Sequence, residues 1–373
     1  MRVLVTGGLG LVGRSVVTTL LLAGHAVRLF DTPRAGGLRK LLHRLPTGKR
    51  RRLRRTVLAA ARGEARHQGM KPSMDLQIFR GDLCNIADVG EAVRDVDAVV
   101  HLGAMIPPAA DRYPVRADYV NRGGVQNIVS ALRQSSPHAR LVYTSSVAVY
   151  GDRRDTPIIK TSDSPHPNPD DHYGKQKLAA EQIVRDSGLD WVIFRLTAIV
   201  SPDKLKMDPL MFDMPLDTEL EVCAAEDVAT ALARAIDTDK ASHRLFHLAG
   251  GEACRTTFRD YVDSMMKLFG LGPSFLPDQA FGPGPFHCAY MDTSESQELL
   301  HYQNHTLVDY YAAVDRTVRF RRPFFRLIRG PIRAYLLSRS PHIRVQLTGV
   351  AATQRRRARF GWFFGGRRAH QPT

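Results

Sequence analysis

A short apolar strand running straight into a glycine-rich turn leaves a chain few folds to choose from, and this chain opens on one. Arg2-Val3-Leu4-Val5-Thr6 is β-branched and apolar and reads as a buried strand. It feeds Gly7-Gly8-Leu9-Gly10-Leu11-Val12-Gly13, where Gly8, Gly10 and Gly13 keep the GxGxxG spacing. Ser15 to Ala23 reads as a helix that Gly24 stops. Ala26 to Phe30 reads as a second strand, and it ends in Asp31. Strand, glycine turn, helix, strand and acid is the order that a dinucleotide-binding unit requires. Glycines let the backbone approach a pyrophosphate, and a helix N-terminus offers it free N–H groups. The Asp31 carboxylate can accept from both hydroxyls of an adenosine ribose. The expected fold is α/β, a Rossmann-type doubly wound parallel sheet.

Further along, Leu141 to Ser146 reads as a strand ending in hydroxyl residues, and Tyr173-Gly174-Lys175-Gln176-Lys177 opens a helical pattern. Tyrosine and lysine four apart share one helix face. Here the chain resembles the extended short-chain dehydrogenase/reductase family, of the NAD-dependent epimerase/dehydratase type. The resemblance rests on Thr6-Gly7-x-x-Gly10-x-x-Gly13, Gly81-Asp82-Leu83, His101-Leu102-Gly103-Ala104, Asn121, Ser145-Ser146-x-x-Val149-Tyr150-Gly151 and Tyr173-x-x-x-Lys177. It covers roughly residues 1–315 apart from one insertion.

A free tyrosine has a pKa near 10 and is a poor base at neutral pH. A lysine ammonium one turn away favours the phenolate, and so does the positive ring of an oxidised nicotinamide. Tyr173 can then take a proton from a substrate hydroxyl as the carbinol hydride leaves, with Ser146 hydrogen-bonded to the same oxygen. The resemblance implies NAD as cofactor, and catalysis by Tyr173, Lys177 and Ser146. It implies cofactor contacts from Gly7, Gly10, Leu11, Val12, Gly13 and Asp31, from Asp82 and Leu83 against the adenine, and from Leu102, Gly103 and Ala104 beside the pyrophosphate. Tyr173 and Lys177 join them at the nicotinamide ribose. Asn121 resembles the family asparagine near the catalytic group, and a helix N-cap is its alternative role.

Two departures narrow the chemistry. Sugar-dehydrating relatives carry acids just after the catalytic hydroxyl, where this chain has Val147 and Ala148. Dehydration is therefore disfavoured, and epimerisation or alcohol/ketone interconversion remains. Leu196 stands where proline is usual, in a loop that flanks nicotinamide and substrate. The expected substrate is a secondary alcohol or ketone, first of a nucleotide sugar. The alternatives are a hydroxysteroid-like apolar alcohol, toward which the apolar run Met207, Leu210, Met211, Phe212 and Met214 points if it lines the pocket, and a non-catalytic NAD-binding regulator.

The chain carries a net charge of +16, unevenly spread. Residues 39–71 hold 12 Lys/Arg and one acid, and residues 316–373 hold 15 Arg and no acid, leaving the remainder at −10. Arginine interleaved with Phe, Leu, Ile and Trp fits an anionic membrane surface, a solvated extension, or, as the weakest reading, nucleic acid. The expected organisation is an NAD-binding domain over 1–202 with the basic insertion at about 38–75. A mainly substrate-binding portion follows over 203–315, with 222–250 returning to the sheet, and the extension covers 316–373. No CxxC or HExxH pattern suggests a metal site. No apolar run reaches transmembrane length, and the chain begins in a strand rather than a leader. A cytoplasmic homodimer, peripheral to membrane, is the expectation.

Overall fold

The computed structural model describes residues 1–32, Leu41, Arg44, 76–156, 158–205 and 207–343. Five apolar segments form the strands β1 (Arg2–Thr6), β2 (Ala26–Asp31), β4 (Ala98–His101), β5 (Arg140–Ser146) and β7 (Trp191–Leu196). Together with β3 (Leu76–Arg80) and β10 (Arg244–Leu248) they make one seven-stranded sheet, in the order β10-β7-β5-β4-β1-β2-β3. Every pairing in it is parallel. Parallel strands are covered on both faces, which is why they read as unbroken apolar runs rather than as alternating ones.

Helices supply the two covering layers. On one face α1 (Leu11–Leu22) and α5 (Ala225–Ala235) bury Val16, Leu20, Val228 and Leu232 in a core with Val3, Val100 and Phe194. On the other, α2 (Ile86–Ala92), α3 (Gly124–Ser135) and α4 (His172–Arg185) close over Leu4, Val99, Leu141 and Ile193. This is the doubly wound Rossmann arrangement. Sheet order reverses at β1 and β4, so the crevice beyond their carboxyl ends is where such a sheet binds ligands.

A second, smaller sheet holds β8 (Ala198–Val200), β9 (Glu219–Ala224) and β11 (Arg255–Thr257). Its centre is a carboxylate with no exposed surface: Glu221 accepts from Gly251 N at 2.8 Å, Met291 N at 2.9 Å and Arg255 Nε at 3.3 Å. Behind it α6 (Phe258–Leu268) builds a separate core with Phe212, Leu271, Phe275 and Phe281. Phe212 and Met214 of the Met-rich run belong to that core, and Met207, Leu210 and Met211 pack against it.

The two basic segments differ from a purely solvated reading. Leu41 is fully buried in the α1 core. Arg44 turns inward, donating to Ser15 Oγ at 2.5 Å, Glu226 Oε1 at 3.0 Å and Asp203 Oδ2 at 2.8 Å. Arg44 thus makes an internal tie. The other positions of the 39–71 segment lie outside the described residues. At the far end, α8 (Leu307–Val318), α9 (Arg322–Leu327) and α10 (Arg329–Arg339) are ordered helices, following α7 (Ser294–Leu300). Residues 344–373 lie outside the description.

Candidate active site

The turn after β1 is tight enough to exclude side chains. Gly7 has φ +66°, in the left-handed region, and a Cβ there would meet Gly103 Cα at 2.9 Å. A Cβ on Gly13 would fall 2.2 Å from Gly7 O and 2.7 Å from Gly8 Cα. Helix α1 therefore begins in contact with the loop. Its N-cap is Gly10, with no side-chain cap and no acid in the first turn, so the positive end of the helix is left for an anion. Gly13→Ala is expected to lower unfolding free energy by about 1–3 kcal/mol and to weaken NAD binding in parallel. Denaturant titration and cofactor fluorescence measure the two, and an unperturbed variant would show that the loop can yield.

The rest of the crevice wall assembles around this turn. Asp31 accepts from Leu9 N at 2.9 Å, which holds its carboxylate against the glycine loop. Gly103 N donates to Thr6 Oγ1 at 3.2 Å, and Thr6 Oγ1 lies 2.6 Å from His101 Nδ1. Burial drops the His101 pKa to about 3, with Lys177 adding to the effect, so this imidazole is neutral. At residue 103, glycine where alanine is usual, an added Cβ would sit 2.6 Å from Leu83 Cδ1, so the Leu83 side chain would have to shift. Asp82 is exposed at the end of β3, its Oδ1 accepting from Cys84 N at 2.9 Å. Leu11, Val12, Leu102 and Ala104 line the ends of the same two loops by position.

Tyr173 stands in the first turn of α4, whose N-cap, Asp171, accepts from Gly174 N at 2.7 Å. Burial pushes the phenol above its ordinary pKa, and a hydrogen bond with Ser146 opposes that rise. Ser146 ends β5 and accepts from Ala148 N at 3.2 Å. Lys177 follows one turn after Tyr173 and is 4% exposed. Its Nζ donates to Thr144 O at 2.7 Å and lies 5.8 Å from the Tyr173 ring centroid. Burial lowers its pKa to about 8, with Glu181 resisting. The three expected catalytic side chains thus meet at one strand end. Val147 and Ala148, where dehydrating relatives carry acids, are both buried.

Asn121 is not a helix cap. It lies in a π-helical turn, Tyr119–Gly123, and is 2% exposed. Its Oδ1 accepts from Met105 N at 2.7 Å, and its Nδ2 donates to Met105 O at 2.9 Å and Gln176 Oε1 at 2.8 Å. The amide ties the β4 loop to the catalytic helix. π-turns inside helices often mark such functional positions.

Sequence reasoning missed a buried polar chain beneath the site. Ser145 Oγ donates to Glu181 Oε1 at 2.5 Å, and Arg195 grips both Glu181 oxygens at 2.9 and 2.7 Å. Arg195 Nη1 then donates to Tyr150 Oη at 2.6 Å, and Tyr150 lies 2.7 Å from His247 Nε2. An arginine only donates, so the tyrosine hydroxyl passes its proton toward Nε2, and Nδ1–H faces Asp292 O at 3.0 Å. That tautomer agrees with His247, which burial holds neutral with a pKa of about 4. The available signals were Glu181, one turn beyond Lys177, and a lone arginine inside the apolar strand β7.

Comparison with known proteins agrees with this architecture. The family model described as the NAD dependent epimerase/dehydratase family matches residues 3–249. A 3 beta-hydroxysteroid dehydrogenase/Delta 5-->4-isomerase of Mycobacterium tuberculosis (strain CDC 1551 / Oshkosh) is 31% identical over 210 residues, 54% of this chain and 46% of that protein. A dTDP-glucose 4,6-dehydratase of Mycolicibacterium smegmatis is 30% identical over 190 residues, 50% of this chain and 48% of that protein. The matched stretch spans about half the length of these curated relatives. The structure of MoeE5 in complex with UDP-glucose and NAD superposes with a TM-score of 0.65 at 19% identity, covering 86% of this chain and 99% of that one. Since the family match runs unbroken from β1 through the last strand of the parallel sheet, the chain belongs to the NAD dependent epimerase/dehydratase family.

Proposed function

We propose that this protein interconverts a secondary alcohol and its ketone with NAD, on a nucleotide sugar. The observation that carries the reading is the meeting of Tyr173, Ser146 and Lys177 at one strand end beside the glycine turn. The residues present fit the cofactor. The turn leaves no room for side chains at positions 7 and 13, the uncapped α1 N-terminus suits a pyrophosphate, and Asp31 is poised for a ribose diol. When bound, NAD supplies a hydride acceptor for the carbinol carbon. Ser146 and Tyr173 hold the substrate oxygen. Lys177 lowers the cost of a phenolate on Tyr173, which takes the hydroxyl proton in oxidation and returns it in reduction. Buried Val147 and Ala148 offer no acid to expel a neighbouring hydroxyl, which supports epimerisation or simple redox over dehydration.

UDP-glucose in the similarly folded MoeE5 supports the nucleotide-sugar reading. The second reading, a hydroxysteroid-type alcohol, is favoured by the 31% identity to the mycobacterial hydroxysteroid dehydrogenase. The Met-rich run no longer argues for it, since two of its members are core residues. Incubation with UDP-sugars and with 3β-hydroxysteroids, following NADH absorbance and sugar stereochemistry, separates the two. Asp31 repels a 2′-phosphate, so NAD is expected to bind roughly tenfold or more tightly than NADP. Fluorescence titration measures this, and tighter NADP binding overturns the Asp31 assignment. Arg34, which could soften the preference, lies outside the described residues.

A further inference from the structure

The C-terminal helices have two unlike faces. Inward, Phe325, Ile332, Leu336 and Leu337 pack on the core of Phe212, Leu271, Phe275 and Phe281. Arg322 donates to Leu268 O at 2.8 Å and pairs with Asp315, and Arg333 donates to Phe275 O at 2.9 Å. Outward, Phe320 and Leu327 are each 82% exposed and Phe324 is 58% exposed. Phe324 and Leu327 lie on α9, and Phe320 lies in the turn that leads into it from α8.

Arg319, Arg321 and Arg326 of the same turn and helix are exposed as well. Arg319 lies over the Phe320 ring at 4.6 Å. Residues 316–339 hold eight arginines and no acid. A large exposed apolar patch marks an interaction surface. With arginines beside it and no acid in the same stretch of sequence, it suits a partner that is apolar within and anionic at its face.

We propose that the outward face of α9, with the turn that precedes it, docks this protein on the surface of an anionic lipid bilayer. Phe320, Phe324 and Leu327 enter the acyl boundary, and Arg319, Arg321 and Arg326 meet the lipid phosphates. Among the described residues, no helix is long and apolar enough to cross a membrane, so the contact lies in the interfacial plane. The charge distribution orients it. Outside residues 39–71 and 316–373 the chain carries −10, so an anionic surface repels the body and attracts the extension. Nucleic acid would also attract the arginines, but an apolar patch containing Leu327 has no base to stack on and suits acyl chains better.

The test is co-sedimentation of the full chain with vesicles of phosphatidylcholine alone and of phosphatidylcholine mixed with phosphatidylserine. Binding to the anionic vesicles is expected to be about tenfold or more tighter and to weaken with salt. The combined variant Phe320→Ser, Phe324→Ser, Leu327→Ser should bind about tenfold more weakly at an unchanged unfolding midpoint, because all three side chains are solvent-facing. Arg319→Gln with Arg326→Gln should weaken binding and flatten its salt dependence. Equal binding to both vesicles, binding to neither, wild-type binding by the apolar variant, or tighter binding to a short DNA duplex would each overturn the proposal.

Discussion

Tyr173→Phe is expected to lower turnover by about 100- to 10,000-fold while NAD affinity stays close to that of the unaltered protein. The substitution removes only the phenolic oxygen, and with it the group that exchanges a proton with the substrate. Burial disfavours the phenolate, against the hydrogen bond with Ser146. The Lys177 ammonium lies 5.8 Å from the ring centroid, and in the proposed mechanism it is the positive charge that favours the phenolate. Steady-state kinetics on any accepted substrate, beside cofactor fluorescence, gives both quantities. Comparable turnover in the variant would remove Tyr173 from the mechanism.

Glu181→Ala costs about 3–5 kcal/mol of folding stability, the scale on which a buried ion pair fails when one partner is removed. The Glu181 and Arg195 side chains are 2% and 4% exposed, so the arginine left behind has neither its partner nor water. The same change reaches the active site. Glu181 resists the fall in the Lys177 pKa that burial imposes. Without it that pKa drops further below about 8. The ammonium is lost as pH rises through its pKa, so a lower pKa means it is lost earlier. The alkaline limb of kcat is therefore expected to move to lower pH. Glu181→Gln, which keeps the side-chain volume, should show the same pH shift with a smaller loss of stability. Chemical denaturation and a pH–rate profile measure the two effects. A destabilised variant with an unmoved alkaline limb would leave Glu181 a structural residue only.

The Rossmann unit and the grouping of Tyr173 with Lys177 were legible in the sequence because their determinants are local. A glycine turn between a strand and a helix specifies its own geometry, and Tyr173 and Lys177 share a face through the helical repeat alone. Asp31 needed only the length of one strand–helix–strand unit to arrive at Leu9. What only the tertiary structure decided was the choice of distant partners. Gln176 and Met105 meet at Asn121 because α4 and the β4 loop pack on the same π-turn, which no local pattern announces. Gly103 meets Leu83, which follows another strand of the sheet. Arg195 is a charge in an apolar strand until β7 lies beside β5 beneath α4 and supplies Glu181 and Tyr150. Composition marked residues 316–339 as basic and aromatic. Which side chains face the core and which face out depended on the surface of α6 and its neighbours, because an amphipathic helix has no inside until something packs against it.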